Sequence, residues 1–257
     1  MPFFVTRRWG FKIVQLPPFT TYGGPWFHYS QASGSKENNR LSFEHKTMSA
    51  LISQLPKTFF FKINFRPEIR NWLPFYWEGF RQTTRYTYIF DQTNDLEKIT
   101  TGFKNTLRSD LKKAEKYAQT CREDAEWQVV FKLNQQSYQR KNLRQPYDLE
   151  TFKCLNKALQ QRNQSACFVA YDNASGKPSA GLYLVFDEKQ ASILLTGTDP
   201  EFKHQSAVYG LFMEAIRFCS ARALSLDFEG SMDQNIERAF RAFGARLVPY
   251  FQVWKWC

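Results

Sequence analysis

Three groups of residues in this chain have the types and spacing that chemistry needs. The first is Leu226-Asp227-Phe228-Glu229-Gly230-Ser231, two carboxylates at the C-terminal end of an apolar run and just before a turn. In open α/β sheets ligands bind outside the strand ends. Spaced two apart, Asp227 and Glu229 are expected on one strand face, where either could orient or deprotonate an attacking amine. Asp227 suits turn-making or helix capping equally well. The second group is Phe240-Arg241 on the following helix. Its guanidinium could stabilise the oxyanion of an acyl-transfer transition state, or Arg241 could be a surface residue with Phe240 in the core. The third is a stripe, Lys104, Arg108, Lys112 and Lys116, at strict i, i+4 spacing. Like charges so placed repel by about 0.2–0.5 kcal/mol per pair, a cost that a bound phosphate would relieve, and Arg suits phosphate. The alternative is a solvated face beside Asp110 and Glu115.

Other chemistries find no support. His28, His45 and His204 form no triad or metal spacing, no metal site is expected, and there is no G-x-S-x-G, P-loop or dinucleotide fingerprint. His204-Gln205-Ser206 sits where a strand-to-helix loop could hold an anion at a helix N-terminus. Cys121, Cys154, Cys167, Cys219 and Cys257 contain no C-x-x-C pair. Cys167 and Cys219 fall in apolar patterns that suit core packing. Such a scattered, odd set favours a reducing compartment. No stretch reaches the ~18 apolar residues of a membrane span, and no apolar segment follows Arg7 and Arg8 as in a secretory signal, so a cytoplasmic protein is expected. The formal charge of +11 implies an anionic partner: nucleic acid, a phosphate-bearing substrate or a membrane surface. Aromatic residues make up 17% of the chain, which favours sheet-rich packing and aromatic-lined clefts.

The elements that must position these groups follow from periodicity and punctuation. Residues 3–16 read as a strand region ended by Pro17-Pro18, followed by a turn or loop at Tyr22-Gly23-Gly24-Pro25-Trp26 and a polar, mobile loop over 31–40. A helix is expected over 41–55, strands over 58–65 and 85–91, and a short aromatic helix over 71–80 with Pro74 in its first turn. The clearest helix spans 95–119, with Leu96, Ile99, Phe103, Leu107, Leu111, Ala114 and Ala118 on one face, opened by Asn94 with Glu97 as a capping box. Beyond it come a strand over 127–131, helices over 132–141 and 148–162, and strands over 166–171, 180–186 and 191–197. A helix over 206–222, a buried strand over 224–228, a helix over 234–243 closed by Gly244 and a final strand over 246–254 complete the order. The outcome is an α/β (α+β) chain with a mixed sheet and helices on both faces.

Segments 41–91 and 206–254 share the order helix, strand, short helix, strand. Thr58 to Ile63 parallels Leu224 to Glu229, and Phe75-Tyr76-Trp77-Glu78-Gly79 parallels Phe240-Arg241-Ala242-Phe243-Gly244.

These residues carry a family resemblance. Tyr86 to Lys116, with Asn105-Thr106-Leu107-Arg108 and Lys112-Lys113-Ala114-Glu115-Lys116, resembles the segment joining the halves of Fem-type peptidyltransferases. Asp227-Phe228-Glu229-Gly230 to Phe240-Arg241-Ala242-Phe243-Gly244 resembles that family's closing motif. Pro17-Pro18 to Gly24-Pro25-Trp26 is similar to the N-terminal part of FemAB-like bacterial proteins. The resemblance implies two GNAT-like units, a truncated one over 1–93 and a complete one over 94–257, and N-acyl or aminoacyl transfer to an amine, on a cell-wall or polysaccharide precursor. It implies Arg241, Asp227 and Glu229 as catalytic residues, and Lys104, Arg108, Lys112, Phe240, Gly230 and Trp26 as substrate-binding ones. Arg241 stands where the family has Lys. No tightly bound cofactor is expected; the acyl donor would be aminoacyl-tRNA or acyl-CoA, with tRNA as a partner. Lys203 to Gly210 lacks the Gly-rich loop of acyl-CoA enzymes. The competing expectation is a GNAT-like scaffold that binds tRNA or a nucleotide-linked glycan without catalysis.

Overall fold

The computed structural model describes residues 1–30, 36–230 and 232–256. It divides into two compact units, Met1–Tyr86 with Val248–Cys257, and Thr87–Leu247. Residues 31–35 of the expected loop, Ser231 of the carboxylate motif and Cys257 lie outside the described residues.

In the first unit, β1 (Phe4–Arg8) and β2 (Phe11–Gln15) form an antiparallel hairpin. The single strand region expected over 3–16 is folded back at Trp9-Gly10, both with positive φ (52° and 82°), the backbone that a two-residue hairpin turn requires. Strand β2 runs parallel to β3 (Phe60–Asn64), and β3 runs antiparallel to the end of β10 (Arg246–Trp256). Strand alternation puts Val14, Phe61, Ile63 and Val253 on one face. There they are buried with Met48 of α1 (Glu37–Ser53) and Phe75 of α2 (Leu73–Trp77). Burying one large side chain contributes about 1.5–3 kcal/mol, so this aromatic cluster holds the unit together.

In the second unit, the end of β4 (Arg81–Phe90) pairs antiparallel with β9 (Ser225–Asp227). Strand β9 is parallel to β8 (Gln190–Thr198), and β8, β7 (Pro178–Phe186), β6 (Ser165–Asp172) and β5 (Ala118–Arg122) continue antiparallel. Ala180, Leu182 and Leu184 of β7 are buried with Leu211, Ala215 and Ile216 of α7 (Ala207–Ser220). Their alternates face the other way: Gly181 meets Val130 of α5 (Trp127–Arg140), and Tyr183 meets Phe152 of α6 (Leu149–Gln160). The sheet is therefore mixed, with helices on both faces.

Three further expectations are corrected. The helix expected over 95–119 is two helices, α3 (Leu96–Thr101) and α4 (Asn105–Tyr117), followed by strand β5. The break lies at Gly102-Phe103-Lys104, where Phe103 is buried against Phe243 (5.4 Å) and the Lys104 N–H donates to the Ala242 carbonyl at 3.0 Å. Tertiary contacts outweigh the helical period there. The N-cap is Asp95, whose carboxylate accepts from the Lys98 N–H, rather than Asn94. The strand expected over 127–131 is the start of α5: Val130, Phe131, Leu133 and Asn134 bury one helical stripe, although the run Trp-Gln-Val-Val-Phe has strand-forming composition. The strand lies at 118–122 instead, as an edge strand with little β signal of its own.

The two repeated segments share their order: α1-β3-α2-β4 and α7-β9-α8-β10, with α8 spanning Gln234–Ala242. Gly79 and Gly244 follow the short helix in each, with φ of 77° and 80°, the left-handed C-cap that favours glycine. The last strand of each segment joins the other's sheet: β10 pairs with β3 and the end of β4 with β9.

Candidate active site

Strands β8 and β9 are hydrogen-bonded only over Gln190–Ser192 and Ser225–Asp227. Beyond Ser192, β8 continues to Thr198 while the chain after Asp227 turns away, so a cleft of about 530 Å³ opens at the strand ends. Its walls come from the end of β8, from α5, from the loop at Tyr147, from Phe228-Glu229-Gly230 and from α8. A helix replaces the missing strand partner. The Asn134 amide donates to the Thr196 carbonyl at 2.8 Å, and the Ser137 hydroxyl accepts from the Thr198 N–H at 3.2 Å. This requires α5 to lie almost on the strand: a Cβ on Gly197 would come within 2.2 Å of the Asn134 nitrogen.

Asp227 is 0% exposed. Its carboxylate accepts from the Thr87 hydroxyl (2.5 Å) and from the Glu229 N–H (2.7 Å), while the Thr87 oxygen accepts from the Gly230 N–H (2.8 Å). A buried charge persists only when satisfied in this way, so Asp227 organises the turn after β9. The strand ends at Asp227, and Glu229 has a left-handed φ of 54°. The expected shared face of Asp227 and Glu229 is therefore not formed, because the strand alternation stops before Glu229 is reached. Instead Glu229 is half-buried and lines the cleft with Gly230 and Phe240. Non-glycine residues adopt this backbone at a cost of about 1–2 kcal/mol.

Further cleft residues carried no motif in sequence. Asn134 Oδ1 accepts from the Tyr147 hydroxyl and the Gln145 amide, both at 2.9 Å. Burial pushes the Tyr147 phenol well above its ordinary range, helped by nearby Tyr138 and by the negative charge of Glu229. At the rim, Lys141 pairs with Asp233 at 3.0 Å. That hydrogen bond, with the Asn235 N–H, holds the Asp233 carboxyl below its usual range. An Asn among Val130, Phe131 and Leu133 on an apolar stripe was the available signal, since a buried amide needs partners.

Arg241 lies outside the described lining of the cleft. It is exposed and pairs with Glu237 at 2.9 Å. Glu237 in turn accepts from the Tyr88 hydroxyl (2.5 Å), a bond that, with Arg241, keeps its carboxyl below the usual range. Burial and Glu237 push the Tyr88 phenol up to about 12.

The basic stripe is divided in its duties. Arg108 donates to the carbonyls of Thr100 (2.9 Å) and Thr101 (3.0 Å), capping the C-terminus of α3. Lys104 is the N-cap residue of α4, and Lys112 lines a second groove, of about 700 Å³, beside Arg108 and Arg217. Lys116 lies over the Tyr117 ring. Asp110 accepts from the Ser206 hydroxyl at 3.0 Å, tying α4 to the start of α7. The loop at His204 is a 3-10 turn whose Gln205 donates to Asp172 at 2.5 Å. Trp26 is 80% exposed and belongs to the first unit.

A mixed sheet whose parallel pair splays over a polar cleft, with helices on both faces, is the architecture of a GNAT-type acyltransferase. The chain matches the family model for the acetyltransferase (GNAT) domain over residues 101–240, more than half its length, and it belongs to that family. No curated protein matches it in sequence. Among solved structures it is similar to FemX, with a TM-score of 0.66 at 11% identity over 97% of this chain and 83% of that one. It is also similar to a tandem GNAT protein from the clavulanic acid biosynthesis pathway (TM-score 0.52, 9% identity, 97% and 80% covered). A third is L-PGS from Bacillus licheniformis (TM-score 0.50, 12% identity, 81% and 71% covered). At these identities the likeness is one of fold, and the tandem neighbour agrees with two related units.

Proposed function

We propose that this protein transfers an acyl or aminoacyl group to an amine in the cleft between β8 and β9. The observation that carries the reading is Glu229, held in a strained, half-buried position on the wall of a polar cleft at diverging strand ends. An alkyl amine is protonated at neutral pH and attacks a carbonyl only after losing that proton. A carboxylate beside the attacking nitrogen removes it, which contributes about 10²–10⁴-fold. The nitrogen then bonds to the carbonyl carbon, and the donor's oxygen or sulfur leaves with the electron pair of the broken bond. Holding donor and acceptor together in the cleft supplies much of the remaining rate.

In this reading Asp227 positions Glu229 through its backbone, and Phe240 and Gly230 contact substrate. Arg241 acts through Glu237 and Tyr88 on the helix that forms the cleft wall. Lys104 and Lys112 hold a phosphate of donor or acceptor; Arg108 stiffens the segment that carries them. The donor is aminoacyl-tRNA or acyl-CoA, bound as substrate rather than as a resident cofactor. The sequence resemblance of 86–116 and 227–244 to Fem-type peptidyltransferases favours an aminoacyl donor and a cell-wall precursor as acceptor. The reading places the protein in a reducing cytoplasm.

The test is a thermal-shift panel of acyl-CoAs, aminoacyl-tRNA and UDP-linked peptides, followed by turnover with whatever binds. A ligand of the folded state raises the midpoint by mass action. No shift with any donor counts against the reading. A second reading, a scaffold that binds the same ligands without catalysis, draws on the full commitment of Asp227 to its turn and of Arg241 to Glu237. Binding without multiple turnovers would select it.

A further inference from the structure

The first unit's sheet has a face and an end that no described helix of that unit covers. Helices α1 and α2 contribute to the core on the Val14–Phe61–Ile63–Val253 side. By alternation the other side presents Phe4, Arg8, Phe60, Lys62, Trp254 and Trp256. At one end, aromatic side chains gather in the open: Trp9 is 84% exposed, Trp256 61%, Phe11 50% and Phe59 41%. Except for Trp9 they are linked by ring contacts, Phe11 to Phe59 at 4.4 Å and Phe59 to Trp256 at 5.5 Å, with Phe60 against Trp256 at 4.2 Å. A clustered apolar patch of this kind marks an interaction site.

The charge on the surrounding strands has one sign. Strands β1, β2 and β3 and the parts of β4 and β10 in this unit contain no Asp or Glu. Arg8 lies over the Trp9 ring at 4.5 Å, and Arg81 over Trp254 at 5.5 Å. In the adjoining groove of about 740 Å³, Lys12, Lys57 and Lys255 face a single described acid, Glu78.

We propose that this end of the first unit docks on the surface of an anionic lipid bilayer. Trp9, Phe11, Phe59 and Trp256 enter the headgroup region, while Arg8, Lys12 and Lys57 meet lipid phosphates. Trp and Phe side chains beside cations suit the membrane–water interface, where the rings leave water and the charges stay hydrated. The hairpin turn at Trp9-Gly10 presents the most exposed ring of the group. Phe11, Phe59, Phe60 and Trp256 pack on one another instead of offering separate open faces, and Trp9 lies under Arg8, which favours a bilayer over stacked nucleic-acid bases. No described helix is long and apolar enough to cross a membrane. The proposal does not rest on the acyl-transfer reading.

The test is co-sedimentation of the full chain with vesicles of phosphatidylglycerol and phosphatidylcholine, against phosphatidylcholine alone. Binding is expected to the anionic vesicles and to weaken with salt. Trp9→Ser and Trp256→Ser should each reduce partitioning about tenfold. Arg8→Gln, Lys12→Gln and Lys57→Gln should each reduce it about fivefold. All five side chains are exposed, so the thermal midpoint should hold, and Trp9→Phe should retain most of the binding. Failure of the wild-type chain to bind anionic vesicles, or binding undiminished by the Trp substitutions, overturns the proposal. So does a dimer in sedimentation velocity that the same substitutions abolish, which would assign the patch to a second copy. Binding of an RNA oligonucleotide lost with the Trp substitutions would assign it to nucleic acid and overturn the proposal as well.

Discussion

The strands β3 and β9 occupy the same place in two repeated segments but do different work. In the residue parallel read from the sequence, Phe61 stands against Asp227 and Ile63 against Glu229, although the core-facing residues at the end of the second strand are Leu226 and Phe228. In the first segment both positions are apolar, and Phe61 and Ile63 are buried in an aromatic core. In the second, one position holds a buried carboxylate that organises a turn and the other a carboxylate that lines a cleft. The helix after each strand differs in length, Leu73–Trp77 against Gln234–Ala242, but each is followed two residues on by a glycine of positive φ, Gly79 or Gly244. One architecture thus serves packing in one segment and a polar site in the other, and two side chains per strand mark the difference. The exposed cluster of Trp9, Phe11, Phe59 and Trp256 lies in the first unit, and Asp227 and Glu229 lie in the second.

Substitutions at the paired positions sharpen that contrast. The largest effect is expected for Phe61→Ala, which removes a ring from a close-packed core and should cost about 3–5 kcal/mol in denaturant unfolding. Asp227→Ala leaves the Thr87 hydroxyl and the Glu229 N–H without their acceptor, and should cost about 1–3 kcal/mol. Equal losses at the two sites would show that Asp227 is a core element like its counterpart and would weaken the contrast. Glu229→Gly should act in the opposite direction. Glycine adopts a φ of 54° without strain, so stability should rise by up to about 1 kcal/mol while activity falls. A destabilised Glu229→Gly variant would mean that the side chain there supports the fold rather than the chemistry.

The smallest expected effect is one of pH. The Asp233 carboxyl titrates below its ordinary range because of Lys141 and the helix N-cap. Its contribution is therefore present above the ordinary carboxylate range and lost as pH falls through its lowered value. Asp233→Asn should flatten the acid side of the stability profile, read from thermal midpoints across pH, and Lys141→Gln should do so in part. No counterpart is expected at β3, whose aligned positions do not titrate.

Much of this was legible in the sequence, for reasons that differ by region. The motif from Leu226 to Gly230 announced itself because an apolar strand that ends in two carboxylates and a glycine is an unusual pattern. The repeat was legible through the order of its elements and the glycine after each short helix. Other parts depended on long-range contacts that no local pattern encodes. The break at Gly102 exists because Phe103 packs on Phe243, and only that break lets Arg108 reach the carbonyls of α3. The strand at 118–122 exists because β6 offers it an edge. Asn134 becomes a cleft residue only when Gly197 allows α5 to replace a strand partner. By contrast, the pairing of Glu237 with Arg241 was available from i, i+4 spacing alone; it commits the guanidinium to a partner on its own helix.

The central claim, that the cleft at Glu229 is where an acyl group passes to an amine, is tested most directly by comparing Glu229→Gln with the wild-type chain in a turnover assay, using the donor and amine acceptor that the thermal-shift panel selects. The expected result is a loss of turnover of about 10²–10⁴-fold, with donor binding and the thermal midpoint little changed. Undiminished turnover in a folded Glu229→Gln protein would contradict it.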